Sequence, residues 1–200
     1  LLRSGGAEVR DEFDFRSDLA VMNVDTCAAL SPPIVAAPDR LETFPGWSAN
    51  GKVLYYSSAK TLWGAGVAPN PELVARTRFD LMRVAFDVTN GTWGAPEVVL
   101  AAADTGKSIV QPRASPDGRY LLLCMTDYGT FPVYQSGSDL HLINLQNGQT
   151  RRMECNSDQA DSWHCWSANS RWIVFSSKRD NGLLARPYFC YLDTQGREHK

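Results

Sequence analysis

Apolar residues in this chain fall in short blocks separated by turn residues, and no capped stretch follows the 3.6-residue period of an amphipathic helix. Three blocks stand out: Val53-Leu54-Tyr55-Tyr56, Tyr120-Leu121-Leu122-Leu123 and Trp172-Ile173-Val174-Phe175. Aromatic and β-branched runs of this length are strand composition. Each block follows the same kind of turn: Trp47-Ser48-Ala49-Asn50-Gly51-Lys52, Ala114-Ser115-Pro116-Asp117-Gly118-Arg119 and Trp166-Ser167-Ala168-Asn169-Ser170-Arg171. The intervals Ser48 to Ser57, Ser115 to Cys124 and Ser167 to Ser176 agree without a gap. Pro116 fits the second turn position and Gly118 a position of positive φ, so the unit reads as a hairpin. Ser170 replaces glycine in the third copy, where a left-handed backbone costs about 1 kcal/mol.

A second repeat runs out of phase with the first. Asp18 to Asp25, Asp80 to Asp87 and Asp139 to Gln146 align, and Arg186 to Asp193 is a looser copy. Asn90-Gly91, Asn147-Gly148 and Gln195-Gly196 follow as turns, and short strands such as Glu97 to Leu100 and Thr150 to Met153 come next. Four antiparallel strands joined as a meander, recurring every 50 to 67 residues, predict an all-β chain of β-propeller blades. The expected division is a half blade over 1–40, blades over 41–101 and 102–154, and most of a blade over 155–200. Closed rings take about four to eight blades, so these three and a half predict an incomplete ring cut from a larger propeller. Residues 69–78 are expected to form a turn or two of helix within a loop.

The Trp-Ser-x-Asn/Asp-Gly-Lys/Arg block with its apolar strand resembles the PD40, WD40-like repeat of TolB-like β-propellers. Ser176-Ser177-Lys178-Arg179-Asp180-Asn181-Gly182 is similar to the segment that follows the second strand there, and Asp18 to Asp25 to its third strand. The likeness runs from Asp18 to Gly196, with Ala114 in place of an expected Trp and a long loop after Ser57 as departures. It implies a bacterial periplasmic or cell-envelope setting and a protein partner or envelope component. Similar propellers also gate the hydrolase domain of prolyl-oligopeptidase-like peptidases.

Composition narrows the classes of function. Of the 200 residues 44% are hydrophobic, enough for a sizeable core. Twenty Lys and Arg against 22 Asp and Glu give a net charge of −2, which argues against a nucleic-acid-binding face. The longest apolar run, near Tyr120 to Met125, falls far short of the roughly 20 residues a membrane span needs. The chain begins with Leu and without a signal-peptide pattern, so we expect it to be processed or part of a longer protein. The five cysteines are scattered, without Cys-x-x-Cys, and are read as small buried thiols.

In a meander the turns after the first and third strands share one face. The loops after the second strands, 58–79, 125–138 and 177–185, share the other with the blade connections, and binding is expected on that variable face. Asp158, Asp161 and His164 lie there, two carboxylates and an imidazole of metal-binding or acid–base type. The plainer reading is that Asp161 caps a turn and His164 packs on an inner strand. Arg179 and Arg186 flank a loop of the same blade and would pair with the aspartates or hold an anion. Trp63, in the longest loop, is the expected stacking residue; Trp47, Trp166 and Trp172 recur in the blades and are expected to pack between them.

Ala101 to Ser108 resembles a phosphate loop only loosely, because Ile109-Val110-Gln111-Pro112 cannot start the required helix. No Gly-x-Ser-x-Gly or usual zinc spacing occurs, and no cofactor is expected. The sequence therefore favours a non-catalytic scaffold, with a peptidase gating propeller or a carbohydrate-binding or lyase-type propeller as alternatives.

Overall fold

The computed structural model describes residues 16–64, 67 and 69–199. The opening of the expected half blade, 1–15, lies outside the described residues. The chain forms β1 (Val21–Met22), β2 (Ala29–Leu30), β3 (Arg40–Trp47), β4 (Val53–Lys60), α1 (Pro71–Arg76), β5 (Asp80–Asp87), β6 (Thr92–Trp93) and β7 (Glu97–Leu100). It continues through α2 (Ala102–Thr105), β8 (Ser108–Ala114), β9 (Tyr120–Thr126), β10 (Asp139–Asn144), β11 (Thr150–Arg152), β12 (Asp161–Trp166), β13 (Trp172–Ser177), β14 (Arg186–Leu192) and β15 (Glu198–His199). Three antiparallel meanders result: β3-β4-β5-β6 with β7 also on β5, then β8-β9-β10-β11, then β12-β13-β14-β15. The first strands of successive sheets lie against one another, with β8 in contact with β3 and with β12. This is an all-β propeller arrangement of one five-stranded and two four-stranded blades around inner strands β3, β8 and β12.

The hairpin turns are copies of one another in hydrogen bonding. Ser48 Oγ donates to Asn50 Oδ1 at 2.8 Å and accepts from the Val53 amide at 3.0 Å. Ser115 does the same with Asp117 and Tyr120, and Ser167 with Asn169 and Trp172. The turns place Gly51, Gly118 and Ser170 at φ 69°, 72° and 58°. The hydroxyl closes the turn from within, which is why serine recurs at this position.

The uniform apolar run of β9 follows from its place in the middle blade. Leu121 and Leu123 pack with Tyr55, Leu81 and Ile109 toward the first blade. Tyr120 and Leu122 pack with Ile173, Phe175 and Leu192 toward the third. Both faces of β9 are buried, so no polar alternation survives, and each large side chain contributes about 1.5–3 kcal/mol. β13 keeps its alternation, with Ile173 and Phe175 buried and Trp172 exposed. On the outer face of the first blade, Leu19 and Val35 cover Leu54, Tyr56 and Val84.

Three local expectations change. Of Asp18 to Asp25 only Val21–Met22 is strand, because Asn23 Oδ1 accepts from the Asp25 and Thr26 amides and turns the chain. Trp47 stacks on Trp93 and Phe86 of its own blade, and Trp172 on Tyr191 of its own; only Trp166 reaches the next blade, through Nε1 to the Arg113 carbonyl at 3.0 Å. Cys27 and Cys165 are exposed, while Cys124, Cys155 and Cys190 are buried thiols.

Candidate binding site on the inner strands

Each inner strand carries a bulge at the same position, four residues before its anchor serine. The register shifts between Thr43 and Gly46, between Val110 and Arg113, and between Ser162 and Cys165. The extra residues are Phe44, Gln111 and Trp163, held at φ 52°, 58° and 48°. None is glycine, so each stores about 1 kcal/mol or more of backbone strain, and bulges of this kind re-aim side chains.

The three residues meet across the blades. Phe44 and Trp163 pack edge to face with ring centroids 6.1 Å apart, and Gln111 Oε1 accepts from the Trp163 amide at 3.1 Å. Trp163 is 47% exposed although it lies on an inner strand. Gln111 Nε2 and the neighbouring His164 Nδ1 are buried without a hydrogen-bond partner, as are Glu42 Oε2 and Ser162 Oγ on these strands. Buried polar atoms in this state are uncommon in folded proteins. His164 Nε2 reaches the Leu122 carbonyl at 3.3 Å, and the Gln111 backbone also lies against the ring. Burial, with Arg113 adding to it, holds the His164 imidazolium down to about 4, so the ring is neutral near pH 7. An amide donor and a neutral imidazole thus stand beside two aromatic rings.

The residues singled out from the sequence divide differently. Asp161 and Arg179 come together as an ion pair of 3.1 Å, with Asp161 fully buried. Asp161 Oδ2 also accepts from the Ser157 amide at 2.5 Å and its hydroxyl at 2.9 Å, and Arg179 donates to the Cys155 carbonyl. This carboxylate braces the entry to β12. Asp158 is exposed in the same loop, and His164 sits three residues further along on the inner strand. Arg186 is exposed and pairs with Asp180 at 3.2 Å. Trp63 packs near Leu41 and Phe79 and borders a cleft of about 480 Å³ lined by Arg16, Asp18, Asp39 and Arg40. Phe44, Gln111 and Trp163 escaped the sequence reading. Their signal was the constant offset from the serine, with Pro45 and Pro112 next in the chain.

No protein-family model matches the sequence, and no curated protein matches it significantly. Solved structures do. An oligogalacturonate lyase in complex with manganese superposes at TM-score 0.59 and 12% identity, over 91% of this chain and 46% of that one. Prolyl endopeptidase gives 0.52 and 16%, over 90% and 24%. Porphyromonas gingivalis dipeptidyl peptidase 4 gives 0.50 and 12%, over 92% and 29%. The chain spans less than half the length of each. At these identities the likeness is one of fold, and it agrees with the propeller arrangement described above.

Proposed function

We propose that this chain is a non-catalytic binding scaffold whose inner strands recognise a hydroxyl-bearing ring, of which a saccharide is the leading chemical class. The observation that carries this reading is the bulge triad. Three strained residues from three blades converge, and they leave the Gln111 amide donor unmatched beside the exposed Trp163 ring, with the neutral His164 ring adjoining. A sugar hydroxyl accepts from the amide, and the C–H face of the sugar ring packs on an aromatic ring, so a saccharide answers both features. An oligogalacturonate lyase among the structural neighbours supports the same class, its name being that of an enzyme acting on a saccharide. The manganese bound to that lyase is not carried over, because two of the three side chains in the ligand cluster Cys155, Cys190 and Glu198 are thiols, which do not suit manganese. The periplasmic or envelope setting implied by the TolB-like resemblance belongs to this proposal, and an envelope glycan is then the partner.

A second reading, in which the chain is part of a gating propeller of a peptidase, is supported by the prolyl endopeptidase likeness. Calorimetric titration with an array of neutral and acidic oligosaccharides separates the two. Binding that weakens about tenfold or more in Trp163→Ala and Gln111→Ala supports the first. Absence of any saccharide binding, or binding indifferent to both variants, overturns it.

A further inference from the structure

Away from the inner strands, the third blade holds a second cluster. Cys155 lies in the connection from β11 to β12, Cys190 on β14 and Glu198 on β15. Their two sulfurs and a carboxylate oxygen all lie within 4.8 Å of one another, and Cys190 Sγ stands 3.8 Å from Glu198 Oε2. Zinc bonds of about 2.3 Å to sulfur and 2.0–2.2 Å to oxygen place tetrahedral ligand atoms roughly 3.5–3.8 Å apart, so small side-chain movements suffice. The side chain of Glu198 is 1% exposed, and its orientation is fixed from two sides. Arg151 donates to Oε1, and the Cys155 amide donates to Oε2 at 3.0 Å.

We propose that Cys155, Cys190 and Glu198 form a binding site for a thiophilic divalent cation, zinc being the fitting choice. On binding, the two thiol protons leave to solvent, two sulfur–metal bonds and one oxygen–metal bond form, and no electrons are transferred. Two thiolates and a carboxylate carry three negative charges, which the dication and the Arg151 guanidinium balance within a buried site. A water completes the tetrahedron. The carboxylate is what distinguishes this arrangement from a simple disulfide pair, for which it has no use. The site joins the connection leaving the second blade to the outer strands of the third. There, among the described residues, the β14–β15 ladder consists of the pairs Tyr191–His199 and Leu192–Glu198. The metal is therefore a structural clip, independent of the inner-strand site.

The test uses the reduced chain, stripped with a chelator and titrated with Co²⁺. One equivalent should produce thiolate-to-cobalt charge-transfer absorption, displaced by Zn²⁺, and Zn²⁺ should raise the thermal midpoint. Cys155→Ser and Cys190→Ser should each weaken cobalt binding about tenfold or more, whereas Cys165→Ser should not. Should either variant fail to fold, the wild-type titration decides alone. Absence of the charge-transfer band overturns the proposal, as does a 155–190 disulfide found by mass spectrometry in chains that bind no cobalt after reduction.

Discussion

The backbone amide of Asp117 donates to the hydroxyl of Ser170 at 2.9 Å, binding the turn of the second blade to that of the third. Ser170 is also the residue that takes a left-handed backbone where the other two turns have glycine. The hydrogen bond offsets the conformational cost, each being about 1 kcal/mol. Ser170→Gly, which removes both, should be close to neutral. Ser170→Ala, which keeps the strain and loses the bond, should lower stability by about 1 kcal/mol in urea denaturation.

Gly46 is required by proximity. A Cβ there would lie 2.5 Å from the Pro112 carbonyl oxygen on the neighbouring inner strand. Gly46→Ala must push β3 away from β8 and loosen the Arg113 contact to the Pro45 carbonyl. We expect a loss of about 1–3 kcal/mol by the same measurement, with the Phe44–Trp163 pairing disturbed.

Asp161→Ala should be among the more damaging substitutions in the third blade. It removes a fully buried carboxylate, leaving the Ser157 amide without its acceptor and Arg179 with only the Cys155 carbonyl and the Ser177 hydroxyl, at about 1–3 kcal/mol. Arg186→Ala, at an exposed pair, should stay within about 0.5 kcal/mol. Thermal midpoints of the two variants make the comparison.

Stability should fall as the solution is acidified below about pH 6.5. Burial depresses both His141 and His164 to about 4 in the folded chain, so between these values the unfolded chain takes up protons that the folded chain refuses. His164 alone gives a slope of about 1.4 kcal/mol per pH unit, and His141 adds a smaller amount of the same sign. Urea midpoints at pH 7 and pH 5 test this, and His164→Gln should flatten the profile.

Trp163→Gly separates strain from recognition. Glycine accepts φ 48° freely, so relief of strain offsets part of the packing lost against Phe44. Saccharide binding should nevertheless disappear in calorimetric titration while the fold persists by circular dichroism.

The blades were legible because their information is local. Ser48, Ser115 and Ser167 each sit a fixed distance from a turn residue and an apolar run, and the structure repeats the same hydrogen bonds at each. The apolar run of β9 was legible as a strand, whereas its burial on both faces emerged only from the packing of its neighbours. The bulges were not. Their left-handed residues are Phe, Gln and Trp, which carry no turn signal, and what holds them is contact between blades far apart in sequence. The same reason hid the partners of Trp47 and Trp172: a repeated position gives the blade location of a side chain, but which face it turns to depends on neighbours the repeat does not encode. Cys155, Cys190 and Glu198 were invisible for want of a spacing motif, since three separate segments bring them together.

The inner strands are cross-linked by side chains that grip another strand's backbone, Arg113 on the Pro45 carbonyl and Trp166 on the Arg113 carbonyl, while β15 at the rim has two ladder pairs and is pinned through Glu198 to Arg151 and the Cys155 amide. The molecule is in this respect like a wheel with a welded axle and a rim fastened at a single rivet. Slow collective bending will leave the axial geometry untouched and be spent at the perimeter, so amide deuteration should enter from β15 inward and reach β8 last.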